Sequence, residues 1–191
     1  HVKQHRTAYC SNRHFSARLE QGSQTLVPGS RVKFIATIDR APERHKYAHL
    51  INVDKGLVKS IGVCNYNSAL LHDLMSYANI KPQMLQIESH PYLTQDNLIQ
   101  LAKDYNIPVT CFSPLGALSY VSLDMASASE SILEKSKIKK ISEDIGKTPA
   151  QVVLRWGLER GTAIIPKTVK LDRLKENIAI FDFELTNKQV D

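Results

Sequence analysis

From residue 59 onward, short apolar runs alternate with stretches whose apolar positions recur at helical spacing. KSIGVC (59–64) predicts a strand, and SALLHDLMSYA (68–78), with Leu70, Leu71, Leu74, Met75 and Ala78 on one side, predicts a helix after it. MLQIE (84–88) is the next strand. Thr94 is the expected N-cap of a helix that buries Leu98, Leu101, Ala102 and Tyr105. PVTCF (108–112) is a third strand, ended by Ser113-Pro114-Leu115-Gly116. Residues 131–145 read as one helix through Ile132, Leu133, Ile138, Ile141 and Ile145, with Gly146 where a C-terminal glycine belongs. Thr148-Pro149 opens another helix as N-cap and first helical residue, through Val152, Val153, Leu154 and Trp156. TAIIP (162–166) is a fourth strand, and Leu171 to Ile178 a short helix. Before residue 56 only VKFIAT (32–37) offers a clean strand.

Strands alternating with helices, both strongly apolar, argue for an α/β fold with a parallel sheet covered by helices. The candidates are a doubly wound sheet and a (β/α)8 barrel. No GxGxxG follows any strand, so the main marker of the dinucleotide-binding doubly wound form is missing. In a barrel the chemistry sits at the C-terminal strand ends. Those positions are polar here: Cys64-Asn65, Gln86 and Glu88, Phe112-Ser113 and Lys167-Thr168.

Composition sharpens this in three places. Apolar residues make up 42% and charged residues 23% of the 191, ordinary for a globular chain, and no apolar run approaches the ~18 to 20 residues of a membrane span. The net charge of +6 lies in residues 1–47, with nine Lys/Arg against three acids; the rest holds sixteen of each. Those cations are scattered, without a basic run or interleaved aromatics, so they do not point to nucleic acid. Three separated cysteines (Cys10, Cys64, Cys111), with no apolar leader in HVKQHRTAYC, predict reduced thiols and a cytoplasmic location. Cys111, inside an apolar strand, is expected to be inert, and Cys64, at a strand end, to be an accessible thiol. His45 and His49, four apart, have no nearby ligand set, and no metal site is expected.

GLVKSIGVCNYN (56–67), IKPQMLQIESHPYLTQ (80–95), CFSPLG (111–116), GKTPAQVVLRW (146–156), IIPKTVKLDRLKEN (164–177) and FDFELT (181–186) together resemble the aldo-keto reductases, in particular their xylose-reductase-like branch. The resemblance implies a (β/α)8 barrel that binds NADPH in extended form and reduces aldehydes and ketones. It implies that Cys64 and Asn65 stand where the family holds the nicotinamide carboxamide with a Ser-Asn pair, and that Gln86 shares that task. Phe112 matches an aromatic residue that stacks on the nicotinamide ring. Ser113 and Leu115 match pyrophosphate contacts. Lys167, Thr168 and Arg173 match the cluster that grips the adenosine 2′-phosphate, a task suited to cations beside a hydroxyl. Glu176 and Asn177 match adenine contacts. NADPH is the favoured cofactor, with NADH left open.

The family's catalytic Asp, Tyr, Lys and His lie in its N-terminal half. RTAYCSN (6–12) resembles the catalytic segment, with Arg6 at the Asp position and Ser11 at the Tyr position. RVKFIATID (31–39) resembles the third strand and puts Ile38 at the Lys position. No fourth strand with a His is identifiable, and His90 reads as structural. The resemblance therefore predicts an incomplete barrel with strands matching the third and the fifth to eighth. It comprises one domain, whose residues 1–55 form a shortened N-terminal part and residues 56–191 a cofactor-binding half-barrel. A complete barrel takes about 250 residues, so self-association to cover open edges is expected. Two functions follow: weakened NADPH-dependent reduction of a small carbonyl substrate, or no catalysis, as an NADPH-binding pseudo-enzyme or as a truncated fragment acting as a binding or structural protein.

Overall fold

A computed structural model of the chain describes residues 35–38, 60–116, 127 and 131–191, the first four through their backbone. Five parallel strands form one sheet: β1 (Ile35–Ile38), β2 (Ser60–Cys64), β3 (Leu85–Glu88), β4 (Val109–Phe112) and β5 (Ala163–Ile165). Their spatial order is their sequence order. A doubly wound sheet reverses direction at a switch point, whereas sequential parallel order is the winding of a barrel wall. Strands and helices together thus have the architecture of part of a (β/α)8 barrel. β1 pairs directly with β2 from Ile35 against Ser60 to Ile38 against Val63, so no strand lies between them. Among the described residues the outer edge of β5 pairs with no strand.

The helices are α1 (Ser68–Tyr77), α2 (Asp96–Asp104), α3 (Ser136–Ile145), α4 (Pro149–Glu159), α5 (Leu171–Ile178) and the short α6 (Asn187–Val190). Strand alternation decides the two faces of the sheet. Val63, Leu85, Ile87, Val109 and Cys111 pack with Leu71 of α1 and Leu98 and Ala102 of α2 into the main core. Residues of the other parity, Cys64, Gln86, Glu88, Thr110 and Phe112, face the opposite side, the interior of a closed barrel. A second cluster joins Ile141 of α3, Val152 and Trp156 of α4 and Leu185.

Three expectations are corrected. The helix after β3 begins at Asp96, with Gln95 at its N-cap in the left-handed region (φ 58). Gln95 turns that way while its Nε2 donates to the Glu88 carbonyl (3.2 Å), and the Thr94 hydroxyl is drawn to Asp96 Oδ2 (2.6 Å) instead of capping. Residues 131–145 are not one helix: a 3₁₀ turn at Ile132–Glu134, capped by Ser131, is separated from α3 by extended Lys135. Ile138, Ile141 and Ile145 share a helical stripe, and Ile132 falls about 120° away from it at 100° per residue. The break lets buried Ile132 and the α3 stripe both reach the interior. Third, Cys64 is wholly buried and is not an accessible thiol.

Other signals act as read. Gly146 ends α3 at φ 65, and the Lys147 N–H returns to the Ser142 carbonyl (3.0 Å). Thr148 and Gln151 form a reciprocal capping box on α4 with Pro149 at its start. α5 is formed over the expected residues, but none of them is buried.

Candidate functional site

Parallel pairing brings the C-terminal ends of β2 to β5 to one edge. Cys64 lies opposite Gln86, Glu88 opposite Phe112, and Phe112 opposite Ile165. Neighbouring strands lie about 4.8 Å apart, so the row from β2 to β5 runs about 14 Å. Asn65 follows β2 in the left-handed region (φ 57), and its N–H donates to the Gln86 carbonyl (2.9 Å). Asn and Asp tolerate that conformation best among residues with a Cβ. The Cys64 thiol contacts Gln86 Oε1 at 3.9 Å, so the Gln86 carboxamide is held from the buried side.

Phe112 is partly buried at the end of β4. Ser113 (φ 47) and Gly116 (φ 63) bend the chain into a tight turn closed by the Gly116 N–H to the Ser113 carbonyl (2.9 Å), with Leu115 partly buried inside it. Behind this turn the His90 Nδ1 accepts the Tyr92 N–H (3.2 Å), and its Nε2 lies 3.5 Å from Glu88. That places the ring proton on Nε2 and ties His90 into the local structure.

Beyond β5 the chain crosses exposed Lys167 and partly buried Thr168, whose Oγ1 accepts the Lys170 N–H (3.1 Å). Thr168, Val169, Lys170, Leu171 and Leu174 line a cleft of about 220 Å³ at the start of α5. A hydroxyl, an ammonium group and the first N–H groups of a helix fit an anion. Arg173 is exposed on α5, and Glu176 and Asn177 lie one turn further on, partly buried. Lys170 was not among the residues picked out from the sequence, although its place in the Lys-Thr-Val-Lys run was the available signal. A second cleft of about 400 Å³ opens at the starts of α1 and α2, lined by Asn67, Ser68, Thr94, Gln95, Asp96, Asn97 and Leu98.

Electrostatics around the site is mostly structural. The Thr94 hydroxyl and then the Arg160 guanidinium hold the Asp96 carboxyl below its usual range. Arg160 stacks on Trp156 (4.4 Å to the ring), pairs with Asp96 and reaches Ser89 Oγ (3.5 Å). Burial pushes the Cys111 thiol up, against the opposing effect of Thr162 and Ser89, so it is a poor nucleophile. No group of three or more metal-ligating side chains occurs among the described residues, and no helix among them is long and apolar enough to cross a membrane. Of the expected catalytic positions, Arg6 and Ser11 lie outside the described residues, as do Cys10, His45 and His49. Ile38 ends β1, in register with Val63.

A sequentially wound parallel sheet with its polar residues at the C-terminal strand ends defines a β/α-barrel type of protein. Residues 48–191 match the family model described as the aldo/keto reductase family. A probable NAD(P)H-dependent D-xylose reductase of Arthroderma otae is 46% identical over 140 residues, which are 72% of this chain and 43% of that protein. The NAD(P)H-dependent D-xylose reductase of Aspergillus niger is 43% identical over 140 residues, 72% of this chain and 44% of that one. Among solved structures, the aldose reductase from Schistosoma japonicum superposes with a TM-score of 0.68 at 34% identity, covering 80% of this chain and 46% of that chain. An aldo/keto reductase from Brucella melitensis gives 0.65 at 36% identity, covering 76% and 51%. The chain belongs to the aldo/keto reductase family, and it spans less than half the length of these curated relatives.

Proposed function

We propose that this chain is an NADPH-binding aldo/keto reductase segment, with reduction of a small aldehyde, ketone or aldose as the activity of its family and with weakened catalysis of its own. The observation that carries the reading is the continuous row from Asn65 and Gln86, past Phe112 and the Ser113–Gly116 turn, to the cleft beside Thr168 and Lys170. Asn65 and Gln86 orient the nicotinamide carboxamide. Cys64 acts from beneath, its thiol occupying Gln86 Oε1 and leaving the Nε2 hydrogens for the ligand. Phe112 offers its ring face for stacking, which needs no hydroxyl. Ser113 and Leu115 border the pyrophosphate, Lys167, Thr168 and Arg173 hold the 2′-phosphate, and Glu176 and Asn177 meet the adenine. NADPH supplies a hydride to the carbonyl carbon when bound. NADH is the second candidate, because the amide and stacking contacts do not need the 2′-phosphate.

The proton that a reduced carbonyl oxygen needs is the weak point. Ser11 and Ile38 occupy the positions of the general-acid Tyr and its Lys, and neither can supply an acid near neutral pH. Loss of general-acid catalysis costs ~10²–10⁴-fold in rate. We read residues 1–55 and 56–191 as parts of one cytoplasmic domain, and we expect self-association through its open sheet edges.

Calorimetric titration with NADPH, on wild type and Arg173→Ala, tests the reading. Micromolar binding that falls about tenfold in the variant supports the cofactor assignment, and slow turnover of an aldehyde then supports the impaired enzyme over the binding protein. A chain folded by circular dichroism that gives no heat with NADPH sinks the assignment.

A further inference from the structure

The Thr148 hydroxyl makes two hydrogen bonds. As N-cap of α4 its oxygen accepts the Gln151 N–H (3.2 Å), and its one hydrogen goes to Glu176 Oε1, 2.5 Å away and 28 residues further along the chain. Gln151 completes the junction: its Oε1 accepts the Thr148 N–H (3.0 Å), and its Nε2 donates to the carbonyls of Glu176 (3.2 Å) and Ala179 (3.0 Å). The Glu176 carboxylate therefore sits against the N-terminal end of α4, where the helix dipole favours negative charge. Among the described residues one of its oxygens is committed, to Thr148, and the other accepts no hydrogen bond. Arg173, one turn earlier, and Asn177, beside it, make no side-chain hydrogen bond or ion pair to a described residue.

We propose that Thr148 is a positioning residue for nucleotide selection. By fixing Glu176 through one oxygen, it turns the other into a directed acceptor for the exocyclic amino group of adenine. This deepens the NADPH reading above and rests on it. A carboxylate on a short, exposed helix otherwise rotates freely, and a ligand would have to order it on binding. Held by the cap, it is ordered beforehand. Hypoxanthine carries a carbonyl where adenine carries the amine, so it would set oxygen against oxygen and be disfavoured. Selectivity for adenine then depends on a hydroxyl that need not touch the nucleotide.

The test is titration of the full chain with NADPH and with its deaminated hypoxanthine analogue, for wild type, Thr148→Ser and Thr148→Asp. Serine keeps both the cap and the donated hydrogen. Aspartate keeps a strong cap but has no hydrogen to give and repels Glu176, so any general loss of the α4 cap is controlled for. Wild type and Thr148→Ser should prefer NADPH by about tenfold, the scale of one hydrogen bond to a charged group. Thr148→Asp should lose most of that preference while α4 keeps its N-cap. Equal preference in all three chains would overturn the proposal, as would a Thr148→Asp variant that weakens both ligands by one common factor. NADPH binding without any discrimination in wild type overturns this proposal alone. Failure of wild type to bind either nucleotide overturns the cofactor reading and this proposal with it.

Discussion

Gly157 tests how the helix layer sets the position of β5. It lies in the third turn of α4, buried, where alanine is normally the better helix former by about 1 kcal/mol. A Cβ at this position would stand 2.8 Å from Cγ2 of Ile164, the central residue of β5. Carbon contacts are most favourable at ~3.5–4.0 Å, so strand and helix must separate by about 0.7 Å or more. Ile164 cannot swing aside, because Cγ2 branches directly from its Cβ and χ1 is stiff. Overpacking of this kind costs about 1–3 kcal/mol. Set against the propensity gain, Gly157→Ala should destabilise the chain by up to about 2 kcal/mol. Trp156 is the only tryptophan in the chain and adjoins the site, so urea unfolding followed by its fluorescence reads the change directly. β5 leads into Lys167 and Thr168, so NADPH affinity should fall as well. A variant that unfolds at higher urea than wild type would show that α4 and β5 separate at no cost, and would refute the close-contact reasoning.

Two further outcomes follow from the side-chain network. Trp156 Nε1 donates to the Val190 carbonyl (2.8 Å), so Trp156→Phe should cost about 1–3 kcal/mol, read as a lowered midpoint in circular-dichroism unfolding, and should expose α6 to proteolysis first. The Thr94 hydroxyl and then the Arg160 guanidinium hold the folded-state pKa of Asp96 below the usual carboxylate range, so its contribution to stability is present above that range and is lost as pH falls through the lower folded value. Unfolding midpoints should therefore drop more steeply below about pH 4 in wild type than in Asp96→Asn; parallel acid limbs would show that the exposed contacts of Asp96 with Thr94 and Arg160 contribute nothing.

Much of this architecture was legible because each βα unit carries its own local signals. The apolar alternation of LQIE and VTCF and the Thr148-Pro149 cap are set by residues a few positions apart. The break at Lys135 was also readable: Ile132 is out of phase with Ile138, Ile141 and Ile145, and one helix cannot bury all four. Burial of Cys64 was readable in part, since strand parity puts it on the face of Gln86, but not how completely its neighbours cover it. The start of α2 was not readable. Thr94 is a good cap by type, yet the Glu88 carbonyl seven residues before Gln95 decides the local geometry. Nor does any spacing in the sequence announce that Thr148 donates to Glu176. The family motifs point to the proposed cofactor row because such motifs preserve long-range pairings in a form that propensity and periodicity lack.

α5 shows why cofactor binding and local order should be linked. Its apolar residues Leu171, Leu174 and Ile178 face outward, 65%, 56% and 69% exposed, while the side bearing Glu176 meets α4. A helix usually gains most of its stability by burying an apolar stripe, and α5 buries none. Its attachment rests on the bonds from Thr148 and Gln151 and on Arg155, which donates to the Ile180 carbonyl (3.2 Å). At about 1 kcal/mol net for each hydrogen bond, this amounts to a few kcal/mol. The core around Leu85 and Ile87, by contrast, is closed on both sides of β3 by paired strands. α5 should therefore open locally at a lower free energy than β3. A nucleotide that binds only the ordered helix raises that free energy by RT ln(1 + [L]/Kd), about 2.7 kcal/mol at a hundredfold excess over Kd. Amide exchange over residues 174–178 should then slow about a hundredfold with saturating NADPH, while exchange of the Leu85 and Ile87 amides changes little. If the α5 amides are already as protected as those of β3 without nucleotide, the polar attachment to α4 is stronger than its hydrogen bonds imply, and the proposed coupling fails.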